Sequence, residues 1–355
     1  MKKFYIGAAV VSIAMFLLWF TNKNEVKTLE PPAALAIKNK TDPASPDKNT
    51  VITIDVPKQK QAKSPPKIHY DQHLASAAEH VGMQYQSALK YPPYSQPLSA
   101  LDEDRLKPNQ FYPVTSPIDD AGNALVVSLD KYRFVYPQEI TINIAAQNLA
   151  EVNVALSNTD TKASISSKTS TAQQGEATVR FKASEDYPRN LQLFVEANVA
   201  GKKVPAVAQI QYMPPSATLI DFDNAYAQNE NMIATAHLKV LKSGLYRIRA
   251  NLYSDTTPLA HLVTKKKLSQ GSQTVDLKAH WSVLPQGVVN MRLSDFVIER
   301  MSPSPGERNS FGSSDITEFE ITDFAYDSLQ QLPYQANEQE RMSLEFLKGL
   351  ADKGA

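Results

Sequence analysis

The chain has 355 residues, a length typical of about two domains. Its 37 Lys and Arg residues balance its 37 Asp and Glu residues, so no overall basic field is present that would hold a nucleic acid. Cysteine is absent, which excludes disulfides, zinc-thiolate sites, iron–sulfur clusters and thiol nucleophiles. The stability of the domains must therefore come from packing.

The first residues have the pattern of a membrane signal-anchor. Lys2 and Lys3 precede an uncharged, largely apolar run over residues 4–20, and lysines before such a run favour a cytoplasmic N-terminus. Bulky residues continue to the end of the run, where a cleaved signal peptide would need a small-x-small site. Cleavage at residues 34–36, Ala-Leu-Ala, is the alternative. We predict a transmembrane helix over residues 1–20, with the rest of the chain in the periplasm and the protein in the inner membrane.

Residues 21–70 have the composition of a disordered tether. Pro, Lys, Ser, Thr and Asp dominate this segment, so too little apolar surface is available to offset the entropy of ordering the chain. Because its prolines favour an extended conformation, the tether is expected to act as a semi-stiff spacer.

Residues 71–109 are predicted to hold one helix and an extended segment. Apolar residues recur every three or four positions, which predicts an amphipathic helix between residues 71 and 90; they are Leu74, Ala77, Val81, Tyr85 and Leu89. The following residues, 91–98, contain three prolines and cannot continue the helix.

From residue 110 the pattern changes to short alternating runs separated by turn residues. About seven such runs lie in residues 110–215, which is the number and spacing typical of a β-sandwich. A second set lies in residues 216–332. The residues between the two sets, Met213-Pro214-Pro215-Ser216, are interpreted as a short joint between domains.

The clearest strand covers residues 244–253, Gly-Leu-Tyr-Arg-Ile-Arg-Ala-Asn-Leu-Tyr. It resembles the Gly-x-Tyr-x-(aliphatic)-x-Ala strand of bacterial immunoglobulin-like and fibronectin-like sandwich domains. The resemblance implies architecture and no particular function, because such folds carry many unrelated activities. The predicted fold class is mainly β, with two tandem immunoglobulin-like β-sandwich domains after the anchor and the tether.

Two further segments complete the chain. Residues 302–314, from Ser302 to Ser314, are rich in Ser, Pro and Gly and are predicted to form a long structureless loop, a kind of segment that is often functional. Residues 333–355 are predicted to contain a C-terminal amphipathic helix whose apolar face docks on its own domain or in a partner's groove.

A calcium site is the metal site that the sequence offers. Asp221 and Asp223 lie on one face of a predicted strand, with Asn224 next to them at the predicted domain joint. Calcium prefers oxygen ligands but takes six or more of them, and only three side chains are present in this stretch. Solvated carboxylates at a strand end are the alternative. The sequence contains no nucleophile elbow and no phosphate-binding loop, so no catalytic residue and no cofactor is predicted.

These observations predict a membrane-anchored, extracytoplasmic binding or scaffolding protein of the bacterial envelope that performs no catalysis. Its expected partner is an envelope protein, a secreted substrate or a polysaccharide, and not a nucleic acid. One alternative is a cryptic envelope hydrolase whose site is assembled from distant residues. Another is an anchored sensor or inhibitor that acts through residues 302–314.

Overall fold

A computed structural model gives the fold and describes residues 72–287 and 290–352. Within these ranges the fold is mainly β, as predicted, and its strands form four sheets. The predicted anchor (residues 1–20) and tether (residues 21–70) lie outside the described residues and stay predictions. None of the helices in the described part is long and apolar enough to cross a membrane.

The first described elements are helical or extended, as their sequence indicates. Helix α1 (Gln72–Ala88) confirms the predicted helix. Its buried residues are Ala75, Ala78 and Gly82, whereas Leu74 of the predicted apolar face is 47% exposed. Strand β1 (Ser95–Pro97) follows inside the proline-rich segment, and α2 (Glu103–Leu106) is a single helical turn. β1 does not join the strands that come next in the chain, because it pairs with a strand of the second sandwich.

The first sandwich consists of two sheets with the strand orders β2-β3-β5-β8 and β4-β10-β9-β6-β7. Buried side chains alternate with exposed ones along β8, and the buried residues of both sheets form one apolar cluster. Each fully buried Leu, Ile or Phe side chain in such a cluster contributes about 1.5–3 kcal/mol. The strands are β2 (Val114–Pro117), β3 (Ala124–Leu129), β4 (Arg133–Val135), β5 (Ile140–Ala145), β6 (Leu149–Asn158), β7 (Ser164–Thr171), β8 (Glu176–Phe181), β9 (Asn190–Val199) and β10 (Lys202–Met213).

The second sandwich also has two sheets around one apolar cluster. One has the order β1-β15-β14-β17-β18 with β20 on β17, and the other has the order β12-β13-β11-β19 with β16 on β13. The strands are β11 (Ala217–Phe222), β12 (Tyr226–Gln228), β13 (Asn231–Val240), β14 (Gly244–Ser254), β15 (Thr257–Leu268), β16 (Gly271–His280), β17 (Met291–Arg300), β18 (Ser310–Phe311), β19 (Ser313–Ser314) and β20 (Glu318–Ile321).

The predicted structureless loop over residues 302–314 is corrected in its second half. Residues Ser310 to Ser314 supply β18 and β19, which pair with β17 and β11 in the two different sheets. Gly312 connects them, and a Cβ at this position would lie 2.3 Å from the carbonyl oxygen of Ala217. Only a glycine fits this crossing between sheets. Residues 302–307 are exposed.

The C-terminal helix α3 (Glu338–Asp352) lies against α1. Its start is fixed by a capping box, in which the Asn337 side chain accepts from the Glu340 N–H and the Glu340 carboxylate accepts from the Asn337 N–H. At the contact, Gly82 of α1 faces Leu347, and a Cβ on Gly82 would lie 3.7 Å from the Leu347 Cβ. The two ends of the described chain therefore meet in a helix pair.

Candidate interdomain site

An extensive polar cluster lies on the outer face of β14. Along this strand Tyr246, Ile248, Ala250 and Leu252 are buried in the core of the second sandwich. Since side chains alternate along a strand, the residues between them point to the opposite face. These residues, which we call the β14 outer face, are Arg247, Arg249, Asn251 and Tyr253.

A buried carboxylate, Glu299 of β17, is the centre of one half of this cluster. Its side chain is 4% exposed. Nε and Nη2 of Arg247 donate to its Oε2 at 2.9 and 2.6 Å, and Nη2 of Arg249 lies 3.4 Å from the same oxygen. The Asn309 amide donates to Oε1 at 2.6 Å. A buried carboxylate is costly unless it is paired and hydrogen-bonded, and here both oxygens have partners.

The same cluster joins the two sandwiches through three residues, Arg308, Asn309 and Phe311, which we call the interdomain clamp. The Asn309 carbonyl oxygen accepts from Nη2 of Arg189 in the first sandwich at 2.5 Å. Arg308 donates to the side-chain oxygen of Asn190 at 3.3 Å. On the other side of the clamp, the Arg133 guanidinium lies 4.1 Å from the centre of the Phe311 ring, a cation–π contact. The second half of the predicted loop thus connects the domains.

Positive charge exceeds negative charge in this half of the site. Burial lowers the pKa of Arg249, and the neighbouring charge of Arg247 lowers it further, while Glu299 opposes the shift. Burial likewise lowers the pKa of Arg133. Nε of Arg249 and Nε of Arg189 are buried without a hydrogen-bond acceptor among the described residues. The carboxylate of Glu299 therefore does not supply a hydrogen-bond acceptor to every buried N–H of the surrounding guanidinium groups.

The other half of the site is a network around Asn251, which is 1% exposed. Its amide donates to the Arg105 carbonyl oxygen at 2.8 Å and to Asp295 at 2.9 Å, and its oxygen accepts from Nδ1 of His261 at 2.7 Å. The Tyr253 hydroxyl also donates to Asp295. An extra residue in β17 disturbs the register with β14 here, and Asp295 has a φ of 55°. This bulge turns the Asp295 carboxylate toward the β14 outer face.

The protonation states of this network follow from its burial. Burial lowers the pKa of His261 to about 4, and the charges of Arg105 and Arg249 act in the same direction. Burial and the Asp295 carboxylate raise the pKa of Tyr253 to about 12. At neutral pH His261 is therefore neutral and Tyr253 keeps its proton. A histidine with so low a pKa is a weak general base, so these contacts mainly fix β14 to the α2 segment. That segment borders an open groove of about 420 Å³, lined by Leu101, Asp102, Glu103, Asp104 and Arg105.

The predicted calcium ligands lie in the other sheet of the second sandwich. Asp221 is opposite His237 in the β11–β13 register, and Asp223 Oδ1 lies 2.8 Å from His237 Nε2. The hydrogen bond to Asp223 raises the pKa of His237. No contact joins Asn224 to this pair in the hydrogen bonds of the described residues, which also contain no group of three or more His, Cys, Asp or Glu side chains arranged for a metal. The calcium site stays a prediction.

The sequence offered residues 302–314, which include the interdomain clamp, as a functional loop, but none of the other residues of the interdomain site was a candidate. The local signal was present for Arg247 and Arg249, which alternate with core residues in the clearest predicted strand. Glu299 carries no such signal, because its role depends on pairing with Arg247, which is far away in the chain.

Comparison with known proteins gives no family for this chain. No family model matches the sequence, and no curated protein matches it. A DUF4785 family protein of Legionella pneumophila is similar in structure with 13% identity and a TM-score of 0.38, over 50% of this chain and 53% of that one. The native α2-macroglobulin of Escherichia coli gives 11% identity and a TM-score of 0.23, over 57% of this chain and 17% of that one. The β-glucuronidase 2 of Bacteroides uniformis gives 13% identity and a TM-score of 0.26, over 44% of this chain and 28% of that one. The chain spans about half of the first protein and less than a third of the others.

Proposed function

We propose that this chain is a binding or scaffolding protein of the bacterial envelope, anchored in the inner membrane and holding two immunoglobulin-like sandwiches in the periplasm. The observation that carries the proposal is the interdomain site. Its buried contacts, from Arg247 through Glu299 and Asn309 to Arg189, join the two sandwiches. Partners lose less freedom when they bind a preorganised surface, so a fixed pair of domains favours binding.

A surface suited to a protein partner lies on the first sandwich. Ala155, Phe194 and Val207 are direct neighbours in one row across β6, β9 and β10. The Phe194 and Val207 side chains are 40% and 46% exposed. Polar residues flank the row, including the ion pair between Lys203 and Glu196. An exposed aromatic group with a polar rim is typical of protein contacts.

The sheet that carries this row also ends in an exposed strand. β7 is the terminal strand of its sheet and pairs with β6. Its residues are exposed or half-buried along its whole length. An edge strand of this kind can accept an extended segment of another protein through main-chain hydrogen bonds.

Location in the envelope rests on the sequence pattern of residues 1–70. An apolar run behind two lysines is the pattern of an inner-membrane anchor. A partly extended proline-rich tether of this length reaches on the order of 100 Å, which allows the sandwiches to work away from the membrane surface.

Crosslinking in the native envelope tests the proposal. The full-length chain and its Phe194→Ser variant are crosslinked in cells, and the captured proteins are identified by mass spectrometry. Leu332→Ser is the matched control, because it removes another exposed apolar side chain, 55% exposed, in the second sandwich region. We expect one defined envelope assembly with the wild type and the control and a reduced yield with Phe194→Ser. Capture of no specific assembly would contradict the binding function.

An envelope hydrolase is the second candidate function, and it would use the groove beside Asp295, Tyr253 and His261, although the low pKa of His261 makes it a weak general base. Perturbed pKa values beside a groove are a feature of catalytic sites. The test is hydrolysis of a panel of ester, amide and glycoside substrates by the wild type and by His261→Asn. Turnover that is lost in the variant would support this function, and no turnover by the wild type would remove it.

An anchored sensor or inhibitor would use the exposed residues 302–307. Deleting these residues while keeping the interdomain clamp should abolish partner capture in that case. Unchanged capture would exclude this role.

A further inference from the structure

We propose that the outer face of β14 and β15 binds a short acidic segment of a protein partner, an inference that names the partner's chemistry and rests on the proposed binding function. The residues concerned are Arg247 and Arg249 of β14 and Lys265 and Lys267 of β15, which we call the cationic strip.

The strand register brings these four cations together. Lys265 is opposite Arg247 and Lys267 is opposite Leu245 in the β14–β15 pairing. Alternate residues of neighbouring strands share a face, so all four side chains belong to the same side of the sheet. Lys265 and Lys267 are exposed, and the side chains of Arg247 and Arg249 are 33% and 24% exposed. A ligand can therefore reach the strip.

In the described part of the chain, the cations of the strip outnumber the carboxylates that pair with them. Among the described residues, Glu299 is the carboxylate that pairs with Arg247 and Arg249, and both of its oxygens already have partners. Asp295 is engaged by Asn251 and Tyr253. Because the whole chain has a formal net charge of zero, this concentration of cations is a local feature. An added carboxylate would relieve the repulsion between them.

The surroundings of the strip favour a protein segment over a nucleic acid. Leu245 is 45% exposed beside Lys267, and Val263 is opposite Arg249. Arginines next to apolar side chains are typical of protein interfaces. Nucleic-acid binding needs a broad basic surface, which a chain with balanced charges does not supply. Nε and Nη2 of Arg247 already donate to one carboxylate oxygen, that of Glu299, so a carboxylate is a partner that this face accommodates.

Direct binding to the full chain tests the inference. The probe is a fluorescein-labelled peptide with glutamates around one leucine, measured by fluorescence anisotropy at about 50 mM salt, where surface charges are weakly screened. A peptide with glutamine in place of glutamate and a single-stranded oligonucleotide are the comparison probes. We expect the acidic peptide to bind, the glutamine peptide not to bind, and the affinity to fall as salt is raised.

Charge variants locate the binding. Lys265→Gln and Lys267→Gln remove exposed charges and should leave folding intact. Each should lower the affinity for the acidic peptide about fivefold, which corresponds to the loss of one contact of about 1 kcal/mol. Lys182→Gln is the matched control, since it removes an exposed lysine from the first sandwich, and it should bind the peptide as the wild type does. Equal affinity of all variants, no binding of the acidic peptide, or tighter binding of the oligonucleotide would each overturn the inference.

Different results would disprove the cationic strip and the proposed binding function. Capture of an envelope assembly whose yield is unchanged by Lys265→Gln, together with no acidic-peptide binding, would overturn the cationic strip and leave the binding function standing. Peptide binding that depends on Lys265, with no assembly captured in cells, would support the strip and contradict the envelope partner.

Discussion

Replacing Glu299 by glutamine is the sharpest test of the interdomain site. The substitution keeps the shape of the side chain and removes the charge shared by Arg247 and Arg249. Breaking a buried ion pair from one side typically costs 3–5 kcal/mol. Both arginines are partly exposed and can turn toward water, so we expect a loss of about 2–4 kcal/mol in the free energy of unfolding. That is a large part of the 5–15 kcal/mol typical of a folded protein.

Urea denaturation measures this loss. Trp281 lies in the second sandwich, where its ring N–H donates to the Leu332 carbonyl oxygen, so its fluorescence follows this domain once Trp19 is replaced by Phe. The matched control is Glu318→Gln, because Glu318 is 51% exposed and lies 3.5 Å from Arg292. Such a surface pair contributes about 0–1 kcal/mol. An equal effect of the two substitutions, or a loss below about 1 kcal/mol for Glu299→Gln, would refute the reasoning.

Three further predictions follow from the described contacts. Gly312→Ala should lower the free energy of unfolding by more than about 2 kcal/mol, because its Cβ would collide with a carbonyl oxygen. Gly349→Ala is the control: a Cβ on this residue of α3 meets no neighbouring atom, so the free energy of unfolding should rise slightly, and urea midpoints compare the two variants. Because the pKa of His261 is lowered to about 4, the unfolded chain protonates this histidine at a higher pH than the folded chain does. The stability that neutral His261 contributes is therefore present above pH 6.5 and is lost as the pH falls toward 4. Between pH 6.5 and 5 the urea midpoint should fall more in the wild type than in His261→Asn. Asn309→Ala should broaden the distance distribution between spin labels on two introduced cysteines, one in each sandwich, and an unchanged distribution would show that the clamp does not fix the domains.

Periodicity in the sequence predicted the elements that bury one face. β8 and β9 alternate between buried and other residues, as expected from the alternating runs in residues 110–215. The helices α1 and α3 were predicted from apolar residues at three- and four-residue spacing. In the strands, local pattern and tertiary packing agree. The helices form where predicted, but Leu74 on the predicted apolar face of α1 is 47% exposed and none of the described residues of α3 is buried.

Elements held by pairing alone were missed. β7 consists mostly of Ser and Thr and buries neither face, so it has no alternation to detect. β18 and β19 exist because β17 and β11 offer them a partner. The interdomain site belongs to the same class. Its ion pairs and hydrogen bonds join residues that are distant in the chain, and no local spacing indicates which arginine will meet which carboxylate.

The path of the chain through the two sandwiches sets an order of assembly. β1, at residues 95–97, is completed by β15, at residues 257–268, and the whole first sandwich is synthesised between them. The first sandwich can form its core as soon as β10 has been made, whereas the second must wait for strands β17 to β20. Closing so long a loop before its contacts form is slow. A chain truncated before β17 would therefore contain a complete first sandwich, while β14 of the second sandwich would lack β17 as a partner strand.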